Sequence, residues 1–249
     1  MVGLLGCGCC GGVPSGTCSN GYVEEFLYTF DSDPLTPVFR AGIPLNQATS
    51  GNWFYSGGRL VSWATAPLYL SNRSVRCQFQ TYPIGEVAPN QAIEFEVDYE
   101  VDPLPPVARC YQQVQLYITE ELKIGQPGIY IQIEFARYTA GGTVQATAFF
   151  RGANAPAIIN NPPLSGNLRI RVEQQSPASL MWLATGYLNG TQFPGTGFQS
   201  RPFQQLGGGV SCDHWVGMTH GSGYFSPAAG LATNLRAYFD NLSQDFIPQ

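Results

Sequence analysis

Glu96, Asp98 and Glu100 occupy alternate positions in the run Ala92–Asp102, AIEFEVDYEVD. There Glu94, Glu96, Asp98, Glu100 and Asp102 alternate with Ile93, Phe95, Val97, Tyr99 and Val101. Side chains of a strand point to opposite faces at period two, so this stretch buries an apolar face and lines the other with carboxylates. Paired carboxylates are the equipment of glycoside hydrolysis. On a straight strand the Cα atoms of positions i and i+4 lie ~13 Å apart. Two Glu side chains leaning together can narrow their carboxylates toward the ~5–5.5 Å that retaining hydrolysis needs. A carboxylate between them would raise the acid's pKa by like-charge repulsion. The alternation overruns these three residues at both ends, with Glu94 and Asp102, as an acidic wall does and a selected triad does not. The expectation is a negatively lined surface without bond cleavage; Glu96, Asp98 and Glu100 are the catalytic set only if the chain is a hydrolase.

Other reactive residues are sparse. Cys7, Cys9, Cys10 and Cys18 fall within residues 1–21, four of the seven cysteines in the chain. Their C-x-C-C-x7-C spacing offers enough thiols for Zn²⁺ but lacks paired C-x2-C knuckles, so disulfides, a metal site and free thiols all stay open. An odd total leaves at least one thiol unpaired within a monomer. Gly6-Cys7-Gly8-Cys9-Cys10-Gly11 fits G-x-G-x-x-G, yet no strand precedes it and no helix follows, so it is no nucleotide loop. Leu4-Leu5-Gly6-Cys7 has the form of a lipoprotein cleavage box without the apolar segment that should come before it. His214 and His220, beside Cys212 and Asp213, could form a metal site, but a loop of satisfied polar residues is the simpler expectation. Two histidines and no G-x-S-x-G leave little material for a nucleophilic triad. Asp31 and Asp33 could contribute oxygens to Ca²⁺, with no D-x-D-x-D-G loop to support them. Asn72, Asn189 and Asn241 sit in glycosylation sequons.

The elements that must position these residues read as strands. Only 12% of the 249 residues are charged, about half the usual share of roughly 25%. With 29 Gly, 19 Pro and 13% aromatics, the composition suits strands and turns better than helices. A net charge of −5 argues against nucleic acid, whose binding draws on Lys and Arg. No apolar run approaches the ~20 residues of a membrane span. Residues 1–21 are Gly-rich and aperiodic, a loop-like arm. From Tyr22 onward, strands are expected at Val23–Phe30, Trp53–Tyr55, Arg59–Trp63, Leu68–Leu70, Val75–Tyr82, the acidic run, Tyr111–Thr119, Gly128–Phe135, Thr143–Arg151, Leu168–Gln174, Leu180–Leu188, Val216–Met218 and Asn234–Leu242. Only Pro227–Thr233 could make a turn of helix. Gly57-Gly58, Gly141-Gly142 and Asn189-Gly190 are turn signals. The spacing predicts an all-β chain of two antiparallel sheets packed face to face as a β-sandwich over 22–249, behind a short Cys/Gly-rich arm over 1–21; that the sandwich is a jelly roll is what the resemblance below implies.

Trp53-x3-Ser56-Gly57-Gly58-Arg59-Leu60, Gly186-Tyr187-Leu188-Asn189-Gly190 and Leu235-Arg236-Ala237-Tyr238-Phe239-Asp240-Asn241-Leu242 resemble motifs of the concanavalin A-like lectin/glucanase (laminin G-like) jelly-roll superfamily. The resemblance covers roughly Tyr22–Phe246 and implies that the first and last strands lie side by side. In its laminarinase/lichenase-like branch E-x-D-x-E is the catalytic strand, which would make Glu96 the nucleophile, Glu100 the acid/base and Asp98 the residue that tunes them. The tryptophan that usually precedes that motif is absent; Pro89-Asn90-Gln91-Ala92 stands there. A sugar cleft would also use aromatic platforms, for which Trp53, Trp63, Trp182 and Trp215 are available. Three functions follow. The foremost is a non-catalytic structural or adhesive subunit, of a virion or extracellular surface assembly, held to protein neighbours through residues 1–21. A carbohydrate-binding module is the alternative, and a retaining β-glucanase the third. Zn²⁺ or Ca²⁺ are the cofactors left open.

Overall fold

A computed structural model describes residues 26–30, 40–41, 51–65, 73–83, 91–106, 109–119, 129–151, 156–174, 182–194, 198–200, 215–224 and 234–248. The arm over 1–21, Leu68–Leu70, Pro227–Thr233, Asp31, Asp33, Asn72, Cys212, Asp213 and His214 lie outside the described residues. So do the side chains of the four tryptophans.

Sixteen strands are present among the described residues, and no helix. In chain order they are β1 (Phe26–Tyr28), β2 (Arg40–Ala41), β3 (Gly51–Ser56), β4 (Arg59–Thr65), β5 (Arg73–Pro83), β6 (Gln91–Val101), β7 (Cys110–Thr119) and β8 (Ile129–Arg137). There follow β9 (Gln145–Arg151), β10 (Ala157–Asn160), β11 (Ser165–Gln174), β12 (Trp182–Leu188), β13 (Thr191–Gln192), β14 (Phe198–Ser200), β15 (Trp215–Tyr224) and β16 (Asn234–Pro248). A nine-stranded antiparallel sheet runs β13-β12-β11-β6-β16-β4-β3, with β1 on β16 and β14 on β12. A seven-stranded antiparallel sheet runs β10-β9-β8-β7-β15-β5-β2. The first and last strands are neighbours, Phe26 opposite Gln244 and Tyr28 opposite Leu242.

Period-two patterning assembles the core. Ile93, Phe95, Val97, Tyr99 and Val101 of β6 and Leu168, Ile170 and Val172 of β11 face Val114, Leu116 and Ile118 of β7 and Ile129, Ile131, Ile133 and Phe135 of β8 in one apolar cluster. The sheets approach closely at Gly186 of β12, where a Cβ would stand 2.5 Å from Cδ2 of Phe150. No larger residue fits there without displacing that ring. Gly57 and Gly58 take φ of +60° and +72° between β3 and β4, the left-handed pair of a type I′ hairpin, and Asn189-Gly190 repeats it at +50° and +74°.

β2, β10, β13 and β14 have no counterpart among the expected strands, and two expected strands run furthest beyond their predicted bounds. β15 covers Trp215–Tyr224 rather than Val216–Met218, because its inward positions carry Met218, His220 and Ser222, two of them polar, and conceal the alternation. β16 runs on to Pro248 rather than stopping at Leu242. Its register against β6 shifts between Asp240 and Ser243, and Asn241 there has φ +50°. That β-bulge breaks the alternation from which the strand end was read.

His220 sits in this core, not in a loop: it is fully buried. Its Nδ1 lies 2.9 Å from Ser62 Oγ, and its Nε2 3.3 Å from Gln112 Nε2. The Gln112 amide nitrogen also donates to the Arg236 carbonyl at 2.7 Å. An amide nitrogen only donates, so Nε2 of the imidazole accepts and the ring proton rests on Nδ1, donated to Ser62. Burial pushes the imidazole down to about 3. Cys110 is buried and forms no disulfide, and burial pushes its thiol up to about 11.

Candidate functional site

The carboxylates of β6 all lie on the outer face of the nine-stranded sheet, and their neighbours on adjacent strands decide what each can do. Glu94 is buried at 8% exposure and faces two guanidinium groups of β11, Arg169 at 3.4 Å and Arg171 at 3.1 Å. Arg171 also pairs with Glu173 at 2.8 Å, and Arg169 stacks on Tyr187 of β12, 4.3 Å from the ring centroid. Glu96 is half-buried and makes no hydrogen bond or ion pair among the described residues. Asp98 accepts from Asn167 Nδ2 at 2.9 Å and from Asn241 Nδ2 at 2.7 Å, one amide on each carboxylate oxygen. Glu100 holds Arg59 at 2.5 Å, and Arg59 lies 4.5 Å over the Tyr238 ring. Asp102 accepts from the Arg236 backbone N–H at 3.1 Å and the Tyr238 hydroxyl at 3.3 Å.

A cleft of about 380 Å³ opens on this face, lined by Arg59, Asp98, Tyr99, Glu100, Ser165, Gly166, Asn167, Asn189, Tyr238 and Asp240. The structure thus brings Asp98 and Glu100 into one cleft and leaves Glu96 outside its lining. Glu100 is neutralised by arginine and Asp98 is filled by amides.

The opposite face of the sandwich carries polar groups that sequence reasoning passed over. On the outer side of the seven-stranded sheet, Ile158, Phe149, Gln132, Gln115 and Thr219 form one rung across β10, β9, β8, β7 and β15. Asn160, Thr147, Glu134, Gln113 and Gly221 form the next. Tyr130 pairs with Tyr117 and Arg151 on the other side. Thr219 Oγ1 donates to Gln115 Oε1 at 2.7 Å. Gln115 Nε2 donates to Gln132 Oε1 at 2.5 Å, and Gln132 Nε2 to Glu134 Oε2 at 3.3 Å. Three side chains thus hand hydrogen bonds in one direction to a terminal carboxylate. Desolvation raises the Glu134 pKa, and the bond from Gln132 partly opposes it.

Gln113, Gln115, Tyr117 and Thr219 are buried although they face outward; Tyr130, Gln132, Glu134, Thr147 and Phe149 are half-buried. The strip accessible from outside therefore runs along β8 and β9, backed by a buried polar layer on β7 and β15. The signals in sequence were Gln113-x-Gln115-x-Tyr117 and Tyr130-x-Gln132-x-Glu134. Each is an alternation of uncharged polar residues, given meaning only by strand register.

No group of three or more His, Cys, Asp or Glu side chains among the described residues is arranged to hold a metal ion. Cys7, Cys9, Cys10 and Cys18 lie outside the described residues. No helix among them is long and apolar enough to cross a membrane.

Among solved structures, the chain is similar to the endo-1,3-beta-glucanase from Streptomyces sioyaensis, at 11% identity and a TM-score of 0.53, over 96% of this chain and 100% of that one. It is also similar to the catalytic domain of an endo-1,3-beta-glucanase (laminarinase) from Thermotoga petrophila RKU-1, at 15% identity and 0.49, over 92% and 100%. A third is the CBM2 module of the evolved Dit of Lactobacillus casei BL23 phage J-1, at 12% and 0.45, over 89% and 97%. No protein-family model and no curated protein matches the chain. The fold is the concanavalin A-like jelly roll.

Proposed function

We propose that this jelly roll is a non-catalytic carbohydrate-binding subunit that engages glycan along β8 and β9 on the outer face of its seven-stranded sheet. The observation that carries the reading is the Thr219–Gln115–Gln132–Glu134 relay. Sugar hydroxyls both donate and accept, and the half-buried end of the row, the Gln132 amide and the Glu134 carboxylate, offers both at positions held by the buried Gln115 and Thr219 behind it. Tyr130 and Phe149 flank the row with aromatic surface against which a sugar ring can pack. The name borne by the structurally similar protein from Streptomyces sioyaensis, an endo-1,3-beta-glucanase, points to the same ligand class. Against hydrolysis, Glu134 is the one carboxylate on the described strands of this face, and the β6 set has Glu100 held by Arg59 and Asp98 held by two asparagines.

A glycan array followed by calorimetry tests the reading. The wild-type chain is expected to bind, to lose at least about tenfold in affinity on Gln132→Ala or Glu134→Ala, and to release no reducing sugar from β-glucan. Absence of binding across the array would refute it, and reducing-sugar release that Glu100→Gln abolishes would restore the hydrolase. The structural or adhesive role through residues 1–21 is compatible with glycan binding; its support is the composition of the arm, and its test is the state of assembly.

A further inference from the structure

We infer that β10 is a homotypic pairing edge, through which a second copy of this chain joins antiparallel across a two-fold axis and the two seven-stranded sheets become one. The strand stands at the end of the sheet order, and its case does not depend on glycan binding.

Register shows which backbone groups this edge presents. Among the described residues β10 pairs with β9 alone, Ala157 opposite Phe150 and Asn160 opposite Thr147. One residue further on, the Asn161 N–H donates to the Ala146 carbonyl at 2.9 Å. Hydrogen-bonded and non-hydrogen-bonded pairs alternate along an antiparallel ladder. Ala157 and Ile159 therefore bond to β9, while the N–H and C=O of Ile158 and Asn160 point away from it. Both residues are exposed, Ile158 at 43%. With Ile158 opposite Asn160 of the second copy, every one of these outward groups finds a partner. The same register sets Ile159 opposite its own copy on the axis, in a non-hydrogen-bonded pair with Cα atoms ~4.5 Å apart. Ile159 packs against the core while only partly buried, and pairing completes its cover.

Charge favours a second copy as the occupant. Edge strands are ordinarily blunted by Lys, by Pro or by a bulge. Here residues 138–150 and 152–168 hold no Asp, Glu, Lys or Arg, in a chain of net charge −5. Two acidic molecules can thus meet at this edge without setting like charges against each other. Val144, just before β9, and Leu164, just before β11, are exposed and add apolar surface. Pro156 and Pro162 bracket the strand, and Asn161 turns the chain with φ +54°, so pairing is confined to Ala157–Asn160. An isologous contact of this kind uses up the edge and closes as a dimer instead of growing into a fibre. So short a strand falls below the ~1,200 Å² of a stable interface. The dimer is accordingly weak, populated at high concentration or where copies are held close together.

Amide exchange of the full chain, followed residue by residue in ¹H–¹⁵N spectra, tests this. The Ile158 and Asn160 amides are expected to slow at least about twofold between about 50 µM and about 1 mM protein. The Ile159 amide, already bonded to β9, should stay constant. Ile158→Pro removes an outward N–H and breaks no bond to β9, so it should keep the circular dichroism of the wild type and abolish the change at Asn160. Ile158→Glu adds a like charge to both edges and should act in the same way, which covers a proline variant that fails to fold. Ile158→Val should behave as wild type. Rates that do not depend on concentration, or an Ile159 amide that slows along with its neighbours, would overturn the inference. So would a change at Asn160 that survives Ile158→Pro or Ile158→Glu, since the copies would then meet through residues 1–21 or another face.

Discussion

At the scale of single residues, His220 shows how far tertiary burial can move a side chain from its usual chemistry. Its sequence neighbourhood, with Cys212, Asp213 and His214, reads as a loop of satisfied polar residues that could form a metal site, yet the imidazole points into the core toward Ser62 and Gln112. Gln112 Oε1 and Ser222 Oγ are also buried there without a partner among the described residues, so the cluster is polar matter that the core only partly compensates. Burial lowers the His220 pKa from 6.5 to about 3. The unfolded chain therefore takes up a proton between these values that the folded chain refuses. Its contribution is fully present above about pH 6.5 and is lost as pH falls toward 3, with a slope approaching about 1.4 kcal/mol per pH unit. Urea denaturation from pH 7.5 to 3.5 should show His220→Gln less stable at the upper end but with a flatter decline. Parallel curves for the two proteins would mean that His220 does not carry this dependence.

At the scale of elements, β6 reads as one uniform acidic strand, yet its partners make its carboxylates unlike one another. Alternation correctly divides its residues between inner and outer faces, as it does for β11, where Leu168, Ile170 and Val172 point inward and Arg169, Arg171 and Glu173 outward. It does not reveal that β11 lies beside β6 with Arg169 opposite Glu96 and Arg171 opposite Glu94. On the acidic wall expected from sequence, Glu94 is buried between two arginines and Glu100 is paired with Arg59, whereas Asp98 is held by two amides and Glu96 has no partner among the described residues. Removing Glu94 leaves both guanidinium groups short of a charge-assisted bond, whereas Glu96 has no such bond to lose. Glu94→Ala is expected to cost about 1.5–3 kcal/mol, and Glu96→Ala to stay within about 0.5 kcal/mol of wild type. Equal losses in chemical denaturation would contradict this division of the strand. β15 escaped the same reading because Gly217, Gly221 and Gly223 take outward positions and polar His220 and Ser222 take inward ones.

At the scale of the whole molecule, the sandwich holds its core between two sheets, and first and last strands close on each other in the nine-stranded one. Residues 1–21 carry no core-forming periodicity. A chain beginning at Tyr22 is therefore expected to fold with unchanged circular dichroism and, if the arm anchors the subunit, to lose self-association in size exclusion and cross-linking. A truncated chain that cannot fold, or one that assembles as before, would remove the arm from that role. By itself the sequence determined that this is an all-β chain of two packed sheets and which side of most strands meets the core, since a period-two pattern is a local property of the backbone. It also marked the hairpins at Gly57-Gly58 and Asn189-Gly190, where left-handed φ demands particular residues. Tertiary structure alone decided which strand lies beside which, and so whether a carboxylate meets arginine, asparagine or open cleft. Arg59 and Glu100 are 41 residues apart in the chain, and Asp98 and Asn241 are 143 apart. Short-range chemistry acts between groups that only long-range register brings within a few ångströms, and register is not written in any one strand.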